Sequence, residues 1–148
     1  MPNIPETANV ARLDHRVSFF ETDAMQVVHH SNYLRYFELA RVRWLDEFDQ
    51  PYLQYIEQDI HYATTRAHVE FHQSARFDDI IEINTWLEWV RGASLRMAYA
   101  INRADTTIAS GWTEHAAVSG EGKIRRIPKP NRERLLKVML REWSGGLL

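Results

Sequence analysis

The stretch from Ser18 to Trp44 constrains the fold more than any other part of the chain. It reads SFFETDAMQVVHHSNYLRYFELARVRW. A short strand-like run is followed by a polar break at Glu21-Thr22-Asp23, and beyond Ser31 the apolar residues recur at steps of three and four. This spacing predicts an amphipathic helix of about 18 residues. The helix is expected to have Ser31 as its N-cap residue and to end before Pro51.

An acidic residue and two histidines stand just before this helix. The carboxylate of Asp23 can act as an acid, a base or a nucleophile. The free N–H groups at a helix start, together with the positive end of the helix dipole, stabilise a developing oxyanion. An aspartate in a strand-to-helix turn can equally be structural. The junction is therefore a candidate site that contains Asp23, His29 and His30.

Length and charge exclude several classes of protein. A chain of 148 residues suits one domain, and a formal net charge of −2 argues against a nucleic-acid binder. The absence of cysteine excludes disulfides and thiolate chemistry. No apolar run approaches the ~20 residues of a membrane span, and the polar start lacks a secretory signal. We expect a cytoplasmic protein with a flexible leader over residues 1–10.

The rest of the chain reads as strands and two short helices. Residues 52–59 and the segment after Pro130 have helical spacing. Period-two alternation predicts four consecutive antiparallel strands, near 67–71, 81–89, 95–101 and 108–118. Hairpin-linked strands with one early helix favour an α+β layer in which the sheet covers the helix. The spacing would equally allow a cone-shaped ligand-binding α+β fold.

The segment TDAMQVVHHSNYLRYFELAR resembles a known thioester-hydrolase signature. That signature reads TD-x-x-G-V-V-[YHW]-H-x-x-Y-x-x-[FY]-x-E-x-x-R and belongs to the 4-hydroxybenzoyl-CoA thioesterase-like branch of the hot-dog fold. The turn Phe77-Asp78-Asp79 and the closing segment Gly122 to Pro128 resemble the family more loosely. The resemblance implies an antiparallel sheet wrapped around one long central helix. It also implies a homodimer joined edge to edge, or a homotetramer built as a dimer of dimers.

The same resemblance implies an activity, the hydrolysis of acyl-CoA thioesters. Asp23 would be the nucleophile or the general base. The backbone N–H of His30 would face the thioester oxygen, and its imidazole would orient Asp23 or the leaving thiolate. No metal or organic cofactor is implied, and the thiol carrier is coenzyme A or an acyl-carrier protein. Two alternatives remain open: a non-catalytic acyl-CoA or lipid-binding module, and a hydratase or dehydratase of the same fold.

Five further residues are expected to bind substrate. His29 and Tyr33, both within the signature, are expected to line the pocket. Gln26 replaces the family glycine, so it either costs about 1 kcal/mol in a positive-φ turn or narrows the acyl pocket. Arg125 and Arg126 belong to a basic cluster that could bind the phosphates of coenzyme A.

Three other features are expected to be structural. Glu21 is interpreted as a solvated edge charge, and Glu38 with Arg41 as a pair on the helix. His68 and His72 share one strand face. Without a carboxylate at ligand spacing, these two histidines do not predict a metal site.

Overall fold

The computed structural model describes residues 4–141. Its strands are β1 (Ala11–Arg16), β2 (His61–Phe71), β3 (Ile80–Val90), β4 (Ser94–Arg103) and β5 (Thr106–Val118). Its helices are α1 (Asn32–Phe48), α2 (Tyr52–Glu57) and α3 (Lys129–Val138). The long helix predicted between Ser31 and Pro51 is therefore confirmed, with 17 residues.

The five strands form one antiparallel sheet in the order β1-β3-β4-β5-β2. The prediction of four hairpin-linked strands is wrong at one connection, because β2 and β3 are not neighbours. β1 occupies the free edge of β3, with Ala11 opposite Thr85. β2 instead pairs with β5, where Phe71 lies opposite Ala109 and His61 opposite Val118. β2 is therefore an edge strand.

Helix α1 packs its apolar stripe against the inner face of the sheet. Phe37, Ala40 and Trp44 have no exposed surface, and their core cluster takes in apolar side chains from all five strands. The ring of Phe37 stacks on Tyr99 of β4 with centroids 4.1 Å apart. Burial of this stripe confirms the predicted α+β layer, with one long helix covered by the sheet.

The paired strands β2 and β5 leave no room for a side chain at Gly111. A Cβ atom added there would lie 2.1 Å from the backbone oxygen of His68 and 3.1 Å from the ring of Phe37. No side chain tolerates a backbone contact of that length. Glycine at position 111 thus allows β2 to lie against β5 beneath α1.

A chain of polar side chains crosses the core from α1 to β2. Arg41 donates to the Tyr99 hydroxyl at 3.0 Å, which lies 2.6 Å from the hydroxyl of Thr113. Thr113 lies 2.7 Å from Nε2 of His115, and Nδ1 of His115 lies 3.2 Å from the hydroxyl of Thr64. Burial and the nearby Arg41 charge lower the pKa of His115 to about 3. The histidine is therefore neutral, as a buried imidazole should be.

Residues 4–10, the described part of the predicted leader, lie against the sheet, and the flexibility of the leader stays a prediction. Ile4 and Val10 pack against a second, smaller apolar cluster. The backbone oxygen of Asn9 accepts a hydrogen bond of 2.9 Å from the indole of Trp44. Apolar contacts and this hydrogen bond hold the segment, and the residues before Ile4 lie outside the part of the chain that the structure describes.

Candidate active site

The loop between β1 and α1 is held by main-chain hydrogen bonds. The N–H of Asp23 donates to the Val27 carbonyl at 2.9 Å, which closes a tight turn. The N–H of Val28 donates to the Ala75 carbonyl at 2.8 Å, so the loop lies against the segment that follows β2. Asp23 is consequently fixed near the Phe71 end of β2.

The carboxylate of Asp23 is half-buried and has two unlike oxygens. Oδ1 accepts a hydrogen bond of 2.8 Å from the N–H of Met25, a local Asx-type contact. No other hydrogen bond or ion pair to this carboxylate is formed by the residues between 4 and 141. Oδ2 is therefore the oxygen that is available for attack on a substrate or for proton transfer.

Gln26 adopts the first of the two alternatives that the sequence left open for its position, a turn with positive φ. Its φ is +65°, in the left-handed region that glycine enters without cost. Its N–H donates to the Asp23 carbonyl at 2.9 Å, so the strained residue closes the turn that carries Asp23. Its side chain is exposed.

The start of α1 is capped by a histidine ring. Ser31 occupies the predicted N-cap position, but the prediction that its hydroxyl caps the helix is wrong, because that hydroxyl accepts no capping hydrogen bond. The hydroxyl instead lies 2.8 Å from Nδ1 of His29, and the same nitrogen accepts the N–H of Ser31 at 3.2 Å. The imidazole of His29 thereby satisfies one of the N–H groups that a helix start leaves without a partner.

His30 presents a free N–H at the helix start. Between residues 4 and 141, no acceptor forms a hydrogen bond with this backbone N–H. Its ring stacks on that of His29 with centroids 4.1 Å apart, and it makes no hydrogen bond with Asp23 within that range. A backbone N–H without an acceptor at the positive end of a helix can stabilise a developing oxyanion.

Tyr33 lies beneath the site, within the core. It is 3% exposed, and its ring packs edge-on against Tyr36 and Phe71. Burial raises the pKa of its hydroxyl, so the phenol is neutral. The expected contact between Tyr33 and a substrate stays a prediction.

Arg125 and Arg126 lie at the opposite end of α1 from Asp23. The guanidinium of Arg125 donates to the carbonyls of Gln58 and Asp59 at 2.9 and 2.6 Å, just after α2. Since α1 has 17 residues, its two ends are about 25 Å apart. Within one subunit the structure does not bring these arginines to Asp23.

The two arginines border a basic cavity of about 590 Å³. Lys129 and Arg132 of α3 also line this cavity, and Glu133 is its only acidic lining residue in the described part of the chain. Sequence analysis missed Arg132, although its spacing of three from Lys129 on a helix places both on one face. The cavity thus concentrates positive charge of the kind that binds phosphates.

Glu21 is the other residue that sequence analysis misjudged. It is 9% exposed, and Nε2 of His15 lies 2.9 Å from its Oε1, so the prediction of a solvated edge charge is wrong. Its backbone carbonyl accepts hydrogen bonds from the N–H of His29 and from the side chain of Asn32. The alternation that puts His15 on the inner face of β1 was the available signal.

The remaining histidines do not form a metal site. Glu70 lies between His68 and His72, with contacts of 3.2 and 3.9 Å, a carboxylate that the spacing argument overlooked. Within residues 4–141, no three acidic or histidine side chains are arranged to hold an ion. Over the same residues, no helix is both long and apolar enough to cross a membrane.

Comparisons with known proteins show the family and the fold of the chain. Residues 17–138 match the family model described as the thioesterase-like superfamily. Acyl-CoA thioesterase YbgC of Haemophilus influenzae is 30% identical over 118 residues, which cover 78% of this chain and 85% of that protein. A hypothetical protein from Aquifex aeolicus has a similar solved structure, with 35% identity, a TM-score of 0.79 and coverage of 84% and 98%. DHNA-CoA thioesterase from Staphylococcus aureus has 25% identity, a TM-score of 0.83 and coverage of 87% and 90%.

Proposed function

The chain belongs to the thioesterase-like superfamily, and we propose that it hydrolyses acyl-CoA thioesters at Asp23. One observation carries this proposal: the loop that leads from β1 into α1 holds both a half-buried carboxylate, that of Asp23, and a backbone N–H without an acceptor among residues 4–141, that of His30. Acyl transfer needs a nucleophile or base beside a donor for the oxyanion. A loop that carries both kinds of group supports this chemistry.

Two routes fit the carboxylate. In the first, Oδ2 of Asp23 attacks the thioester carbonyl, the coenzyme A thiolate leaves, and water hydrolyses the resulting anhydride to free acid and Asp23. In the second, Oδ2 takes a proton from water, and the hydroxide attacks the same carbonyl. In both routes the carbonyl oxygen becomes an oxyanion that the His30 N–H and the dipole of α1 stabilise. The exposed His30 ring is suited to give the leaving thiolate its proton.

The acyl group has a place beside α1. A cavity of about 300 Å³ lies between the helix and the free edge of β2. It is lined by Leu34, Arg35, Glu38 and Arg41 of α1 and by Thr64, Ala67 and Thr113 of the sheet. It begins one turn after the helix start, so an acyl chain could leave the thioester and run along α1. Gln26, at the mouth of the Asp23 turn, would contact the same substrate.

The edge strand β2 supports a homodimer, or a dimer of dimers. Ala63 to His68 are all exposed, and the outer edge of this 11-residue strand has no partner strand among residues 4–141. An open edge of this length favours pairing with another strand. A second copy of β2, related by a two-fold axis, would pair with it antiparallel.

Such pairing would complete the site. Asp23 lies near the Phe71 end of β2, whereas Arg125 lies near the His61 end, where its N–H donates to the Ala117 carbonyl at 2.9 Å. Antiparallel pairing places the Phe71 end of one strand beside the His61 end of the other. The basic cavity of one subunit would then bind the coenzyme A phosphates of a substrate held at Asp23 of its partner.

A panel of acyl-CoA thioesters, with the released thiol measured directly, tests the proposal. We expect turnover by the wild-type protein and a fall in kcat of at least about 100-fold in Asp23→Asn, with the fold intact. Asp14→Asn, an exposed change on β1, is the matched control and should keep wild-type kcat.

Other outcomes identify other functions. Near-normal turnover in Asp23→Asn would exclude the mechanism. Tight acyl-CoA binding without thiol release would indicate a non-catalytic module, and water addition without thiol release would indicate a hydratase. Acyl-carrier protein thioesters form a second arm, which decides the carrier.

A further inference from the structure

The carboxylate of Glu21 is buried beneath the turn that carries Asp23. Nε2 of His15 lies 2.9 Å from Oε1 and 3.2 Å from Oε2 of this carboxylate. The N–H of Ser18 donates to Oε1 at 2.7 Å. The side chains of Glu21 and His15 are 11% and 23% exposed, so water screens their contact only in part. The carboxylate therefore joins β1 to the short helical turn at Phe19–Glu21.

The backbone carbonyl of the same residue joins the turn to α1. It accepts the N–H of His29 at 2.9 Å and the side-chain amide of Asn32 at 2.8 Å. Asn32 is 6% exposed and is the first residue of α1. Glu21 thus connects three elements. It belongs to the turn, its side chain contacts β1, and its backbone carbonyl contacts the start of α1.

The carboxylate has a local structural role, because Glu21 and Ser18 form a capping box at the turn Phe19–Glu21. The ring of Tyr36 is 1% exposed and packs 4.9 Å from the ring of His15, and burial with the nearby charge of Glu21 raises the pKa of its hydroxyl. Removing a charged group from water costs free energy that an ion pair often fails to recover. Such pairs are best explained where they fix one geometry.

The geometry fixed here is that of the active site. Glu21 stands two residues before Asp23, and His29, which its carbonyl holds, precedes His30 directly. A displacement of about 1 Å between a reacting group and its oxyanion donor can cost about 100-fold in rate. Asp23 and His30 therefore lie next to Glu21 or to a residue that it holds, so a shift of Glu21 is expected to move one group relative to the other.

We propose that Glu21, held by His15, is a positioning residue that sets the Asp23 carboxylate against the free N–H of His30. The inference rests on the proposed thioesterase function. Its effect acts through the backbone, since Glu21 itself is buried away from the substrate. Since the role of Glu21 concerns the chemical step, its substitution should lower kcat and leave KM unchanged.

Two substitutions at Glu21 separate positioning from charge. Glu21→Ala removes the carboxylate and with it the contacts to the N–H of Ser18 and to the ring of His15. We therefore expect kcat to fall at least about 10-fold while KM stays within about 2-fold. Glu21→Gln keeps an oxygen that can accept from Ser18 and His15, so it should recover most of kcat. Equal loss in both variants, or a loss confined to KM, would overturn the proposal.

A matched control removes the general effect of losing a buried ion pair. Glu88 of β3 is similarly buried, at 14% exposed, and contacts Arg96 at 3.1 Å on the outer face of the sheet. Glu88→Ala should lower the melting temperature about as much as Glu21→Ala and leave kcat unchanged. A fall in kcat that follows melting temperature equally in the two variants would make Glu21 merely structural.

The role of His15 is tested through its coupling to Glu21. His15→Ala should lower kcat in the wild-type background. In the Glu21→Ala background it should change kcat by less than about 2-fold, since its partner is already gone. Additive losses in the double variant would show that His15 acts separately and would overturn its part of the inference.

A measurement without substrate distinguishes this inference from the proposed function. Amide hydrogen exchange of His29 reports its hydrogen bond to the Glu21 carbonyl. Protection should fall in Glu21→Ala and persist in Glu21→Gln and Glu88→Ala. Unchanged protection in Glu21→Ala would overturn the inference even if the wild-type protein is active. Absence of thiol release by the wild-type protein would overturn the proposed function alone.

Discussion

Gln26 holds a backbone conformation that glycine adopts without cost. At a φ of +65° its Cβ crowds the adjoining peptide, whereas Gly at this position would only add freedom to the unfolded chain. We expect Gln26→Gly to change the free energy of unfolding by up to about 1 kcal/mol in the stabilising direction. Urea unfolding of the two proteins measures the difference.

The control for this prediction is a glutamine in ordinary helical geometry. Gln54 is exposed within α2, so Gln54→Gly should destabilise the protein by about 1 kcal/mol. A similar destabilisation in Gln26→Gly would mean that the turn is not strained. A parallel change in acyl-chain preference would show that the glutamine side chain also narrows the pocket.

At the residue scale, sequence predicted what depends on neighbouring residues. The position of Asp23 before a helix follows from a local motif, and the same motif raised positive φ at Gln26 as one of two alternatives. The burial of Glu21 does not follow from a local motif, because it depends on His15 and on Asn32, 11 residues further along. The capping role of Ser31 failed because a histidine ring competes for the same hydroxyl.

The polar chain from Arg41 to Thr64 contains the buried His115, so we expect the packing of α1, β4, β5 and β2 to depend on pH. The pKa of His115 is about 3 in the folded protein, mainly because of burial, against about 6.5 when unfolded. Between about pH 3 and pH 6.5, His115 is protonated in the unfolded state but neutral in the folded state. Stability is therefore lost as pH falls from about 6.5 towards 3, by about 2 kcal/mol at pH 5.

Unfolding at several pH values checks this expectation. His115→Gln removes the titrating group, so its stability should be flatter than that of the wild-type protein between pH 7 and pH 5. His68→Gln alters an exposed histidine and should keep the wild-type slope. Identical slopes in all three proteins would show that His115 remains hydrated or charged.

The two arginines after β5 should differ in their effects. Arg126 is exposed beside the basic cavity, so Arg126→Ala should raise KM for a coenzyme A thioester about 5- to 10-fold with kcat unchanged. The matching pantetheine thioester, which lacks the nucleotide, should show no change. An equal penalty on both substrates would contradict phosphate binding.

Arg125 has a second task that its neighbour lacks. Its guanidinium already donates to the carbonyls that end α2. Arg125→Ala should therefore lower the melting temperature as well as raise KM. A melting temperature equal to that of Arg126→Ala would contradict this structural task.

At the element scale, periodicity predicted which segments are helices and strands but not how the strands are ordered. The spacing of apolar residues in α1 and β3 to β5 reports burial directly. The pairing of β2 with β5 depends on which edges remain open after β1 has paired with β3, and no local pattern carries that information. For the same reason, the sequence did not show that Arg125 and Asp23 lie at opposite ends of α1.

For the whole molecule, a site shared between two subunits predicts complementation between two defective variants. One is Asp23→Asn, and the other is Arg125→Ala/Arg126→Ala. A mixed dimer would combine one intact site with one site that carries both defects. After random exchange about half of the dimers are mixed, so about a quarter of the sites regain wild-type activity.

The measurement is the rate at low coenzyme A thioester concentration, before and after the two variants are mixed and allowed to exchange. Asp23→Asn mixed with wild-type protein controls for exchange. A rate equal to the average of the two separate variants would contradict a shared site. Light scattering of the wild-type protein should independently give a dimer or tetramer at micromolar concentration.

The close approach of β2 to Gly111 also limits which mutations the gene can accept at this position. Every single-base change that alters the meaning of a glycine codon either ends the chain or installs at least a Cβ. That atom would meet the backbone of β2, which cannot rotate away as a side chain would. Exposed residues around the cavity beside α1, such as Leu34 and Arg35, have room to vary, so selection for a new substrate could act there if this cavity binds the acyl group. Position 111 does not tolerate such variation. In a library with random residues at this position, we expect every folded variant to have glycine.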